Sequence, residues 1–155
     1  MVRLRQSLLL VEDNSDDEAL SLKAITDSGV PCEVNVVRHG GEAFDLLMSP
    51  DGPTPDLIVL DFHLPGYNGL EILKAIRGNE RTRHMPIVML SALESDHEIA
   101  ECLEEGATSC VQKPHDPKVY VEHVALIVKY WLTVDKRPDQ EPPPGPRLII
   151  NQLTL

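Results

Sequence analysis

The stretch Leu57-Ile58-Val59-Leu60-Asp61-Phe62-His63-Leu64-Pro65-Gly66 decides how the rest of the chain reads. Four consecutive apolar residues describe a strand covered on both faces, because a half-exposed strand would alternate. The run stops at a carboxylate, and Pro65-Gly66 turns the chain. Runs of the same kind flank it at Leu8-Leu9-Leu10-Val11, Val34 to Val37 and Ile87-Val88-Met89-Leu90, with a weaker one at Ser109-Cys110-Val111-Gln112. Helical patterns separate them. Ser15-Asp16-Asp17-Glu18 reads as a capping box opening a helix that carries Ala19, Leu22 and Ile25, stopped by Gly29 and Pro31. Gly40 to Met48 is a short second helix, and Leu70, Leu73 and Ile76 stripe a third that ends at Gly78. Ser95-Asp96-His97-Glu98 caps a fourth with Ile99 and Leu103 on one face, and Asp116-Pro117 opens a fifth. Five strand–helix units predict an α/β fold. It is a doubly wound five-stranded parallel sheet, strand order 2-1-3-4-5, with right-handed crossovers.

Composition agrees with one domain. The chain has 155 residues, 42% apolar and 25% charged. Fourteen basic residues face 25 acidic ones, a formal net charge of -11. Such a chain repels nucleic acid phosphates and anionic lipid, so neither is expected as a partner. No run approaches the roughly 20 apolar residues of a membrane span. Met1-Val2-Arg3-Leu4-Arg5 has a basic start, but Leu8 to Val11 is too short for a signal sequence and meets Glu12-Asp13. Cys32, Cys102 and Cys110 lack metal-ligand spacing and read as reduced thiols in a cytoplasmic protein.

The fifth helix, through His123-Val124-Ala125-Leu126-Ile127-Val128-Lys129-Tyr130-Trp131-Leu132, is apolar nearly all round. One face must cover the sheet, and the other is expected to meet the tail or another molecule. Val124, Val128 and Trp131 are the expected dimer surface. After Thr133 the composition changes to a polyproline linker, Pro142-Pro143-Pro144-Gly145-Pro146, and an apolar tail, Arg147 to Leu155. An Ile- and Leu-containing tail is expected to dock as an added strand or arm.

Ligands bind this class of sheet beyond the carboxyl ends of its strands. There stand Glu12-Asp13, Asp61, Ser91 and Lys113. Three converging carboxylates repel one another, and a hard divalent cation relieves the repulsion. Mg²⁺ takes oxygen ligands and is held by one or two carboxylates. Asp13 and Asp61 suit direct ligation, Glu12 a water-mediated or alternate place, and the loop His63-Leu64-Pro65-Gly66 can turn a backbone carbonyl inward as a further ligand. A carboxylate on Mg²⁺ opposite a lysine is arranged to receive a phosphoryl group, with Asp61 as nucleophile, and Ser91 and Lys113 on the phosphoryl oxygens.

Leu10-Val11-Glu12-Asp13-Asn14, Leu60 to Gly69, Leu90-Ser91-Ala92 and Lys113-Pro114 together resemble the receiver domain of two-component response regulators, over about residues 7–133. The resemblance implies the flavodoxin-like receiver fold and a phosphoacceptor, Asp61, fed by a histidine kinase. Glu12, Asp13, Asp61 and the His63 carbonyl would hold Mg²⁺, and Ser91, Ala92 and Lys113 would bind phosphate. It also implies a cis Lys113–Pro114 bond, and a Ser91 movement that shifts the face built from helix four, strand five and helix five. Cys110 stands where the family places its switch aromatic and reads as a buried strand residue. His63 and Leu93 occupy the positions that tune phosphate loss, and an apolar Leu93 predicts slow self-dephosphorylation. His39, His84, His97, His115 and His123 read as solvated or capping residues.

Residues 134–155 hold a linker and a tail, with no output domain expected, since a helix-turn-helix needs several times that length. The chain looks like the stand-alone receivers that partner phytochrome-type histidine kinases, often as homodimers through helix five. Chemotaxis and phosphorelay receivers share the same features. The enzyme alternative is a haloacid-dehalogenase-type Mg²⁺-dependent phosphatase, which carries a second Asp where this chain has His63. The third reading is an adaptor without chemistry.

Overall fold

The computed structural model describes residues 6–92, 96–134 and 148–150. Strands β1 (Gln6–Val11), β2 (Cys32–Val37), β3 (Leu57–Asp61), β4 (Ile87–Ser91) and β5 (Ser109–Gln112) alternate with helices α1 (Ser15–Asp27), α2 (Gly40–Met48), α3 (Gly69–Gly78), α4 (Asp96–Glu104) and α5 (Pro117–Lys129). A π-helical turn, Tyr130–Val134, prolongs α5, and β6 (Leu148–Ile150) follows. All pairings are parallel, and the first five strands run 2-1-3-4-5. The five-stranded expectation holds with one addition. The apolar tail supplies a sixth strand, Ser109 opposite Leu148 and Val111 opposite Ile150, which pairs the otherwise open backbone edge of β5.

Alternation along the central strands divides the core in two. Leu9, Val11, Ile58, Leu60, Ile87, Met89 and Cys110 pack with residues of α2, α3 and α4. Leu8, Leu10, Leu57, Val59, Val88, Leu90 and Val111 pack with residues of α1 and α5. Full burial of an aliphatic side chain of this size is worth about 1.5–3 kcal/mol. The sheet centre is therefore a rigid support for whatever stands at its ends.

Several local expectations shift. The α1 cap is Asn14, whose side chain accepts from Asp17 N at 3.0 Å, one residue before the expected Ser15. The inward face of α1 is Ser21, Ala24 and Ile25, while Ala19 points outward. Asp116 caps α5 with Pro117 in its first turn, as the sequence predicts. No peptide bond among the described residues is cis, so Lys113–Pro114 is trans, contrary to the family's pattern. The two forms differ by only about 0.5–1 kcal/mol before proline, within reach of local packing.

The largest correction falls on α5. Val124, Val128 and Trp131, expected on a dimer surface, are 2%, 0% and 9% exposed and pack in the core beneath the sheet. The outward apolar residues are Leu126 at 59% and Tyr130 at 41%. A helix apolar nearly all round hides its inward face from a sequence reader, because several stripes have the right period.

Candidate functional site

β1 and β3 end side by side, β5 ends one strand further on beyond β4, and each end delivers one ionisable group. Glu12 follows β1, Asp61 closes β3, and Lys113 follows β5. All three are buried. Lys113 Nζ donates to Glu12 Oε1 at 2.8 Å, to Asp61 Oδ2 at 3.1 Å and to Asp17 Oδ2 at 2.9 Å. Asp13 is exposed and completes the acidic cluster, in which Glu12, Asp13 and Asp61 each bring an oxygen within 4.8 Å of the others. These hard oxygen donors fit a divalent cation of the Mg²⁺ class.

Two glycines shape the approach. Gly66 takes a positive φ of 81° in the loop after β3. A side chain at Gly69 would place its Cβ 2.4 Å from the Asp61 carbonyl oxygen, so only glycine lets α3 start this close to the strand end. The Gly69 N–H donates to Phe62 O at 2.8 Å, and the His63 N–H to Asp61 Oδ1 at 3.2 Å. The loop therefore orients the Asp61 carboxylate from one side while Lys113 holds it from the other.

Three carboxylates on one ammonium, with Asp13 in the same acidic cluster, leave an excess of negative charge. Burial pushes the Glu12 carboxyl up to about 8, and its hydrogen bond and charge repulsion with Asp61 act in the same sense, outweighing the attraction of Lys113. Burial alone would lower the Lys113 ammonium, but the Asp61 and Glu12 charges outweigh it and hold it above the usual lysine range. The cluster therefore keeps the lysine charged and favours the protonated form of Glu12.

Ser91 closes β4 and is fully buried. Its hydroxyl donates a hydrogen bond to the Glu98 carboxylate of α4, and His63 Nε2 lies 3.7 Å from the same oxygen. The Lys113 N–H donates to the Ser91 carbonyl at 2.7 Å, joining the ends of β4 and β5. Ala92 follows Ser91 and is exposed, and Leu93 lies outside the described residues. Cys110 is buried on β5 as expected, and its thiol meets that of Cys102 from α4. The contact with Cys110, with burial, pushes the Cys102 thiol up.

Glu12, Asp13, Asp61 and Lys113 thus come together, and Ser91 joins them through its backbone while its hydroxyl turns to Glu98. Two residues were not recognised as part of the site. Asp17 reads as a member of the α1 capping box, and Glu98 as a capping residue of α4. Their place in the boxes opened by Ser15 and Ser95 explains both readings, while their contacts with Lys113 and Ser91 arise from tertiary packing. Among the remaining histidines, His84 accepts from Arg83 Nε at 3.2 Å and His97 lies 4.0 Å from Glu101, both at the surface. His39 occupies the cap position of α2 without a side-chain cap bond.

A family profile for the response regulator receiver domain matches residues 8–125. The chain is 31% identical over 134 residues to the probable methanogenesis regulatory protein FilR2 of Methanothrix harundinacea (strain 6Ac), covering 84% of this chain and 86% of that protein. It is 32% identical over 110 residues to the two-component response regulator ORR6 of Oryza sativa subsp. japonica, covering 71% of this chain and 64% of that one. Its fold is similar to the crystal structure of the phosphorylated cyanobacterial phytochrome response regulator RcpA. The TM-score is 0.79 and the identity 30%, over 85% of this chain and 97% of the other.

Proposed function

The chain belongs to the response regulator receiver family, and from that premise we propose that Asp61 accepts a phosphoryl group from a histidine kinase and that the output is a protein contact. The observation that carries this reading is the Lys113 ammonium, 3.1 Å from the Asp61 carboxylate at the mouth of the acidic cluster.

An Asp61 oxygen attacks the phosphorus of a phosphohistidine. The new P–O bond makes an acyl phosphate as the P–N bond breaks, and the imidazole departs with the electron pair. Lys113 offsets charge on the phosphoryl oxygens, and the Ser91 hydroxyl and the backbone at Ala92 donate to them. Glu12, Asp13, Asp61 and the His63 carbonyl would hold Mg²⁺, which supplies further charge neutralisation when bound. Incubation with acetyl phosphate and magnesium should add one phosphoryl group, located on Asp61 by mass spectrometry. A folded protein that stays unlabelled overturns the reading. Continuous release of phosphate from small esters would point instead to the phosphatase chemistry.

The kinase we propose is phytochrome-type, supported by the likeness to RcpA. Phosphotransfer from such a kinase to wild-type protein but not to Asp61→Asn is its test. Residues 7–133 would be the receiver and 134–155 a linker and tail, working in the cytoplasm. The net charge of -11 supports a protein partner over nucleic acid. Two copies would associate along α5 and the tail strand, supported by the outward Leu126 and Tyr130. Leu93 and His63 would set the lifetime of the phosphorylated state.

A further inference from the structure

Glu98 lies in the first turn of α4, yet only 8% of it is exposed. Its carboxylate accepts the hydrogen bond of Ser91 Oγ, and His63 Nε2 approaches the same oxygen at 3.7 Å. Ser91 ends β4 at the acidic edge of the sheet, and His63 lies in the loop after β3. Ser91 is the hydroxyl assigned to the phosphoryl group, and His63 follows Asp61 by two residues. A serine hydroxyl has one proton to donate. A bond to Glu98 and a bond to a phosphoryl oxygen are therefore alternatives.

We propose that Glu98 is a latch, a positioning residue that holds Ser91 in a resting orientation and sets the free energy phosphorylation must supply to turn it. This rests on the phosphoacceptor reading of Asp61. In the resting state the buried carboxylate pins Ser91 to the first turn of α4. When a phosphoryl group on Asp61 takes the serine proton, that tie is given up and His63 is placed to pair with Glu98 instead. The α4 face is thereby told of events at Asp61 through this exchanged hydrogen bond. Cys110 offers no aromatic ring to report the same movement, so the latch places the switch on the α4 side of Ser91.

The test is a thermodynamic cycle on Ser91 and Glu98, read as affinity for beryllofluoride with Mg²⁺ by ¹⁹F NMR. Hydrogen bonds to charged groups of this kind set an expected gain on the order of tenfold to a hundredfold for Glu98→Ala. In a Ser91→Ala background the same substitution should change affinity little. Unchanged or weaker binding by a folded Glu98→Ala overturns the latch. An equal gain with and without Ser91 also overturns it, because it would mean simple repulsion between Glu98 and the anion. Should Glu98→Ala fail to fold, Glu98→Gln carries the same cycle with a smaller expected gain. Wild-type protein that binds no beryllofluoride at Asp61 overturns the phosphoacceptor reading and the latch with it. Normal wild-type binding with a flat cycle removes the latch alone.

Discussion

The sheet holds a cation at each end, and the two are satisfied in opposite ways. At the carboxyl edge Lys113 is surrounded by the carboxylates of Glu12, Asp17 and Asp61. At the other edge Arg77 of α3 donates to backbone carbonyls of Gly106 at 2.8 Å, Arg83 at 2.9 Å and Met85 at 2.7 Å, and to Thr108 Oγ1 at 3.2 Å. Carbonyl oxygens do not titrate and carry no net charge to exchange. The Arg77 end is a fixed clamp on the segments entering β4 and β5. The Lys113 end is a set of exchangeable charges. The difference teaches that a cation at a sheet end marks chemistry only when its partners can change state.

Substitutions should separate the two ends. The largest effect is expected from Asp61→Asn, which should abolish labelling by acetyl phosphate while leaving the denaturation midpoint close to wild type or higher, since one repelling charge leaves the cluster. Next, Arg77→Ala should cost about 2–4 kcal/mol in chemical denaturation by orphaning several carbonyls, with phosphorylation retained in the folded fraction. Lys113→Ala should cost about 3 kcal/mol by leaving buried carboxylates unpaired. Saturating Mg²⁺ should recover much of that loss, and none of the Arg77→Ala loss. Equal rescue of both variants would break the comparison.

A pH effect should follow at the Lys113 end alone. Glu12 is raised from 4.5 to about 8, so the folded state binds that proton more tightly than the unfolded chain does. Its contribution to stability without metal is fully present below about 4.5 and declines as pH rises toward 8. Mg²⁺ should therefore bind more tightly as pH rises from 6 to 8, with up to about one proton released per ion. Calorimetry in two buffers of different ionisation enthalpy counts that proton, and Glu12→Gln should remove it. The smallest expected effect lies far from both cations: Leu126→Glu should lower the solution mass in light scattering if α5 pairs copies, and leave labelling of Asp61 unchanged.

Much of the pocket was legible because it sits where apolar runs stop. Glu12, Asp61, Ser91 and Lys113 each terminate a buried strand, and a parallel sheet brings such ends to one edge whatever the intervening helices do. The supporting residues were not legible for the complementary reason. Asp17 and Glu98 lie on helices, where a carboxylate in the first turn is ordinary capping chemistry. Only tertiary packing, which brings Asp17 to Lys113 and Glu98 to Ser91, turns them inward. The Cys102–Cys110 contact likewise depends on how α4 meets β5, and eight residues of separation carry no signal of it. Val124, Val128 and Trp131 were placed on the wrong side because helix five offers no polar stripe to fix its rotation. The strand at Leu148–Ile150 was anticipated in kind, since Ile and Leu after a proline spacer have to cover something, but not in partner.

The 2.7 Å bond between the Lys113 amide and the Ser91 carbonyl has a mechanical meaning. It yokes two neighbouring ribbons at their tips, so the backbone bearing the hydroxyl does not travel without tugging the backbone bearing the ammonium. The second ribbon is the one on which Leu148–Ile150 rests. A tremor at the anion-recognising rim is thus handed sideways, ribbon to ribbon, to the far margin of the molecule.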